Sequence, residues 1–144
     1  MIKRALPSDA DAIATLADRL WPGHGVHEFQ KEMQELLADD HAAVFLAFSG
    51  NEPVGFAQVQ LRHDYVEGTS TGPVGYLEGL YVEARFRQEG MARELVRGCE
   101  EWARQQGCTE FASDCELGND VSRDVHLHLG FNEVNRIIAF AKKL

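Results

Sequence analysis

The chain has 144 residues, and 14 Lys+Arg against 23 Asp+Glu give it a net charge of −9 with histidines neutral. That length suits one domain, here residues 1–144, and the acidity argues against a general binder of nucleic acid or anionic membranes, both of which are themselves negative. Apolar residues make up 44% of the chain and only 4 are proline, so a core is favoured over disorder; the longest apolar run, Ala42 to Phe48, is far short of the roughly 20 residues a membrane helix needs. Ile2 to Leu6 reads as a short strand. Pro7-Ser8-Asp9-Ala10-Asp11 reads as a helix start with Ser8 as N-cap, and Ile13, Leu16, Ala17 and Leu20 repeat at helical spacing up to Trp21-Pro22-Gly23. A second helix spans about Val26 to Ala38, with Phe29, Met33, Leu36 and Leu37 on one face. Ala43 to Phe48 and Val54 to Leu61 are predicted strands joined by a hairpin loop, Ser49 to Pro53. A polar loop from Arg62 to Pro73 follows, longer than a mere connection requires, and then a strand from Val74 to Val82. The strongest helix pattern runs from Met91 to Gln106, with Met91, Leu95, Val96, Cys99, Trp102 and Ala103 on one face and Gly107 as its stop. Phe111 to Asp114 is a strand, Asp120 to Leu129 a helix closed by Gly130, and Val134 to Ala141 a final strand.

The amino-terminal stretch turns acidic by Asp9 and Asp11, unlike a signal peptide, so a soluble cytoplasmic protein is expected. Cys99, Cys108 and Cys115 form an odd set without C-x-x-C spacing, which argues against disulfides and zinc; Cys99 falls on an apolar helix face and reads as core. His24 and His27, and His126 and His128, supply no set of three ligands, so no metal is expected. The segment Arg87-Gln88-Glu89-Gly90-Met91-Ala92 has more to offer. Free N–H groups at a helix amino end, at the positive end of its dipole, can hold a pyrophosphate where glycine lets it approach. It is neither a Walker loop nor a dinucleotide G-x-G-x-x-G, and an ordinary exposed helix start is the plain alternative.

In the order of elements this segment resembles the acetyl-CoA loop of the GNAT acetyltransferase superfamily, Q/R-x-x-G-x-G/A, through Arg87, Gly90 and Ala92. Asn119, Ser122, Gly130 and Phe131 match a later family pattern, with His126 where tyrosine is usual. Leu20 to His24, Arg62 to Gly68 (R-H-D-Y-V-E-G), Leu77 to Val82, Ala112 to Asp114 and Val125-His126 look like the aminoglycoside 6'-N-acetyltransferases of that superfamily. The resemblance implies an α/β GNAT fold: a mixed, mostly antiparallel sheet splayed between its fourth and fifth strands and flanked by about four helices. It also implies acetyl-CoA as co-substrate, a polycationic aminosugar as acceptor, and a homodimer in which a second chain can complete the acceptor pocket.

Such an enzyme must bind an alkylammonium, remove its proton and hold the amine against a thioester, because an amine with a pKa near about 10 has no free lone pair at neutral pH. Glu78 is the candidate base; a solvated strand residue, or a partner of Arg62, is the alternative. Gly79 within an apolar strand marks a bulge or a close backbone approach. The resemblance implies that backbone N–H groups of Leu80, Tyr81 and Val82 face the thioester, and that Arg87, Gln88, Glu89, Gly90, Met91, Ala92 and Asn119 bind the cofactor. His126 stands near the departing sulfur as an acid or packs without chemical duty, and Asn119 alternatively only starts a helix. Trp21, Tyr65, Glu78 and Asp114 are the expected acceptor residues: carboxylates for ammonium groups and flat rings for sugars. A GNAT enzyme for another amine and a non-catalytic acyl-CoA sensor are the competing readings.

Overall fold

The computed structural model describes residues Met1–Leu144. Its elements are β1 (Ile2–Arg4), α1 (Ala10–Leu20), α2 (Val26–Leu37), β2 (Ala42–Ser49), β3 (Glu52–Arg62), β4 (Val74–Val82), α3 (Met91–Gln105), β5 (Phe111–Ser113) and α4 (Asp120–His128). The five strands form one sheet in the order β1-β2-β3-β4-β5, antiparallel except for the parallel β4–β5 pair. No helix is long and apolar enough to cross a membrane.

Alternation along the strands sends side chains to two separate cores. Ala57, Val59 and Leu77 face α3, where Leu95, Val96, Cys99, Trp102 and Ala103 are buried. Val44, Leu46 and Phe56 face α1 and α2, meeting Ile13, Leu16, Ala17, Phe29 and Met33. Burial raises the Cys99 thiol well above its ordinary range, so it is an inert core residue.

Two features of β4 place the site. Its pairing with β3 shifts at Gln58: Gln58 lies opposite Gly79 and Val59 opposite Leu77, so Glu78 is the extra residue of a bulge. Its pairing with β5 covers only Gly75 to Leu77 against Phe111 to Ser113. From Glu78 onward the outer edge of β4 has no neighbouring strand, and this is the splay between fourth and fifth strands.

Two expectations are corrected. Ser8 is not a helix cap, because Pro7–Asp9 first makes a 3-10 turn in which the Asp9 carboxylate accepts the Leu6 N–H at 2.8 Å, and α1 begins only at Ala10. Val134 to Ala141 is not a strand within this chain. Phe131 is the last residue in a backbone–backbone hydrogen bond, and the chain beyond it seats Val134 over Gly68 and gives the Asn135 amide to Glu67 at 2.8 Å. A strand needs a neighbour for its N–H and C=O groups, and this path leads to side-chain contacts with the 63–73 loop and to no backbone pairing.

Candidate functional site

The end of α1, α2 and the sheet enclose a recess of about 380 Å³. Its apolar wall is Trp21, Phe29, Met33 and Leu36, and its polar groups are His24, Glu32, Gln58 and Glu78. Trp21 lies where it does because Gly79 has no side chain: a Cβ there would stand 2.6 Å from the indole Cη2. The indole is further held by Phe29 and Phe56, with ring centroids at 6.0 and 6.2 Å. Two carboxylates and an aromatic plane around one hollow favour a cation that carries apolar surface.

Glu78 reaches that hollow from the bulge. Arg62, the last residue of β3, grips it with two charge-assisted bonds, Nε to Oε2 at 3.1 Å and Nη2 to Oε1 at 2.8 Å. The guanidinium carbon lies 3.4 Å from the ring centroid of Tyr76, and the Tyr76 hydroxyl donates to Asp114. The bond to Glu78 raises the Arg62 pKa against the opposing effect of burial. Burial first, then the bond to Asp114, raises that of Tyr76, which stays a hydrogen donor at neutral pH.

At the mouth of the splay, α4 carries His126. The helix is capped by Asn119, whose side-chain oxygen accepts the Ser122 N–H at 3.2 Å. The Nδ1 atom of His126 lies 2.7 Å from the Ser122 carbonyl, and a carbonyl only accepts, so Nδ1 carries the hydrogen. Nε2 therefore faces the Ser113 hydroxyl, 2.8 Å away, as acceptor in the neutral ring and as donor in the charged one. Ser113 also reaches the Leu77 carbonyl at 3.1 Å, and these are the last paired residues of β4 and β5.

The glycine loop folds against the end of β4. The Arg87 guanidinium donates to the Val82 carbonyl at 2.9 Å, which ties the loop to the strand. The backbone then enters the left-handed region at Gln88 (φ 65°) and at Gly90 (φ 85°), immediately before α3. Such alternation turns N–H groups toward one concavity, and a Cβ placed on Gly90 would meet nothing within 4 Å, so the approach to the amino end of α3 is open.

The structure thus brings Trp21 and Glu78 together in the recess and connects Asp114 to Glu78 through Tyr76 and Arg62. Tyr65, 77% exposed, does not line the recess. Leu80, Tyr81, Val82 and the loop from Arg87 to Ala92 follow one another along the open side of the splay. Glu32, Tyr76 and Ser113 were missed by sequence reasoning. Strand alternation alone would have put Tyr76 on the face of Glu78, whereas no pattern distinguishes Glu32 from the other polar residues of α2. No group of three or more His, Cys, Asp or Glu side chains is gathered as metal ligands.

Comparison with known proteins agrees with this geometry. The model of the acetyltransferase (GNAT) family matches residues 10–131. The aminoglycoside N(6')-acetyltransferase type 1 of Stenotrophomonas maltophilia is 42% identical over 144 residues, 99% of this chain and 93% of the relative. The enzyme of the same name from Salmonella typhimurium is 41% identical over 128 residues, 89% and 88% of the two chains. Among solved structures, AAC(6')-Iy in complex with the bisubstrate analogue CoA-S-monomethyl-acetylneamine has a TM-score of 0.95 at 37% identity, covering 100% of this chain and 98% of its own. The apo 6'-N-acetyltransferase AAC(6')-IG of Acinetobacter haemolyticus has a TM-score of 0.94 at 39% identity, with 100% and 99% coverage. A splayed sheet, an open helix amino end beside it, and likeness over nearly the whole length lead to one conclusion: the chain belongs to the acetyltransferase (GNAT) family.

Proposed function

We propose that the protein transfers the acetyl group of acetyl-CoA to the 6'-amino group of aminoglycoside antibiotics, an activity that confers resistance, with residues 1–144 acting as one catalytic domain. The observation that carries this reading is the position of Glu78: it projects from the bulge into a recess walled by Trp21 and shared with Glu32, where the outer edge of β4 becomes free. The relatives named for this reaction, at 41% and 42% identity, support it. Acetyl-CoA is the donor; the loop from Arg87 to Ala92 takes its pyrophosphate and the free amide nitrogen of Asn119 takes its arm. A 6'-ammonium entering the recess meets Glu78 and Glu32. Glu78 removes one proton, directly or through a water, and the amine attacks the thioester carbon while N–H groups between Leu80 and Val82 polarise the carbonyl. The carbon–sulfur bond breaks and its electron pair goes to the thiolate. The nitrogen gives its second proton to water as the amide forms, and the charged ring of His126 supplies from Nε2 the proton that makes the thiolate a thiol. Use of acetyl-CoA makes the cytoplasm the site of action, and the acceptor is a small polycation with no part for nucleic acid or membrane. A homodimer is part of the same reading, supported by the unpaired carboxy-terminal segment.

Thiol release from acetyl-CoA, measured with kanamycin-type and neomycin-type acceptors beside a panel of polyamines and peptides, tests this. Turnover confined to acceptors with a 6'-amine is the expected result. Silence with all of them, or CoA binding without turnover of any amine, would overturn the reading. Glu78→Gln is expected to lower kcat by about 10²–10⁴ at neutral pH, the range of a general base, with the KM for acetyl-CoA unchanged.

A further inference from the structure

Glu78, Arg62, Tyr76 and Asp114 form a continuous line of contacts over β4, the end of β3 and the residue that follows β5. Residues two apart along β4 share a face, so Tyr76 and Glu78 point the same way, toward the side of α1 and α2. Arg62 lies opposite Val74 in the β3–β4 register, so its side chain must run diagonally over Tyr76 to reach Glu78. It does so with its guanidinium stacked on the ring at 3.4 Å and both carboxylate oxygens of Glu78 engaged. Tyr76 is itself 6% exposed, packed with Val66 and Val74, and fixed at its far end by Asp114, beyond the last residue of β5.

Each contact removes one freedom from the next group. The Asp114 bond fixes the ring, the ring fixes the plane of the guanidinium, and the planar two-pronged grip fixes the carboxylate. A carboxylate has about four lone-pair directions and Arg62 uses two of them, so the others remain for a ligand in the recess. Asp114, by contrast, accepts the Tyr76 hydroxyl and lies outside the lining of the recess.

We propose that Arg62, Tyr76 and Asp114 are a positioning bracket for Glu78, and that Asp114 serves the acceptor only through this bracket and does not bind an ammonium group of the substrate. The inference rests on the acceptor reading given above for the meaning of Glu78, and it changes the role expected of Asp114.

Steady-state kinetics with acetyl-CoA and a 6'-amino aminoglycoside separates the two roles. Tyr76→Phe and Asp114→Ala are each expected to lower kcat about fivefold, the equivalent of one ordinary hydrogen bond, with acceptor KM changed by less than about twofold. The double variant loses no more than either single one, since both cut the same link. Asp114→Asn, which keeps an oxygen to accept from Tyr76, regains most of the rate lost in Asp114→Ala. Arg62→Lys keeps the charge but neither the two-pronged grip nor the stack, and loses more than Tyr76→Phe. A rise of tenfold or more in acceptor KM for Asp114→Asn, with Tyr76→Phe behaving as the parent, would show Asp114 to be a direct ligand and overturn the bracket. The Arg62 Nε–H signal in ¹⁵N–¹H NMR, recorded without acceptor, supplies a readout independent of activity. It shifts in Tyr76→Phe if the bracket exists, and an unmoved signal refutes it. A shifted signal in a protein that acetylates no aminoglycoside would leave the bracket standing and remove the proposed function instead.

Discussion

At the scale of single residues, Gly79 does two things that no other amino acid could combine. It stands in the bulge that brings Glu78 to the recess, and its missing side chain leaves the space in which Trp21 lies. Adding one methyl group there forces the indole off the strand, because the nearest atoms are ring carbons at 2.6 and 2.9 Å and the ring is held from behind by Phe29 and Phe56. Gly79→Ala is therefore expected to cost about 1–3 kcal/mol in urea unfolding, the usual range for overpacking. It should also raise the acceptor KM while leaving that for acetyl-CoA alone, since Trp21 walls only the acceptor side. Equal rises in both constants would mean that the substitution disturbs the sheet as a whole. The sequence marked Gly79 as a bulge or a close approach, and it is both. The same sequence could not show Arg62 meeting Glu78 by way of Tyr76, because that diagonal depends on a β3–β4 register which the bulge itself shifts.

At the scale of elements, α3 and the loop before it were legible because each signal is local. An apolar stripe marks the buried face of the helix and the glycine at its entry marks an open approach to its amino end, whereas nothing in the sequence marks the left-handed turn at Gln88. The start of α1 was less so: Ser8 and Asp9 are both good capping residues, and only the 3-10 turn decides between them. The loop also permits a test of its own. Gly90 holds φ at 85°, where a β-branched residue is strained by about 1–3 kcal/mol. Apart from its chain neighbours, nothing lies within 4 Å of the added Cβ, so an effect of Gly90→Val on cofactor affinity beyond that strain is assigned to blocking what approaches the helix end. The expected result is a KM for acetyl-CoA raised at least tenfold, with a melting temperature lowered by only a few degrees and acceptor KM little changed. Gly90→Ala should lie between the two proteins. Unaltered affinity for acetyl-CoA in Gly90→Val would take the loop out of the cofactor site.

At the scale of the whole molecule, residues 134–141 have the local pattern of a strand and yet pair with nothing within the chain. Ile137, Ile138 and Phe140 are 69%, 74% and 91% exposed, and their spacing would put apolar groups on both faces of a strand, the pattern of one covered on both sides. The free edge of β5 is a row of unpaired backbone groups of the kind that recruits another strand. Charge favours a second copy as the partner. Residues 131–144 carry Arg136, Lys142 and Lys143 against Glu133, a net +2, which leaves −11 on residues 1–130. A cationic apolar segment and an acidic body with an open edge are complementary when two chains exchange their ends. Sedimentation of the 144-residue chain at micromolar concentration is then expected to give a dimer that weakens as salt is added. Phe140→Asp, which sets a carboxylate in the apolar face without touching the body, should shift it to monomer. Because β5 carries Ser113 and leads directly to Asp114, uncovering its edge should also loosen the bracket on Glu78 and lower kcat in step with the monomer fraction. A 144-residue chain that sediments as a monomer, or a Phe140→Asp variant that remains dimeric, would assign the segment some other cover.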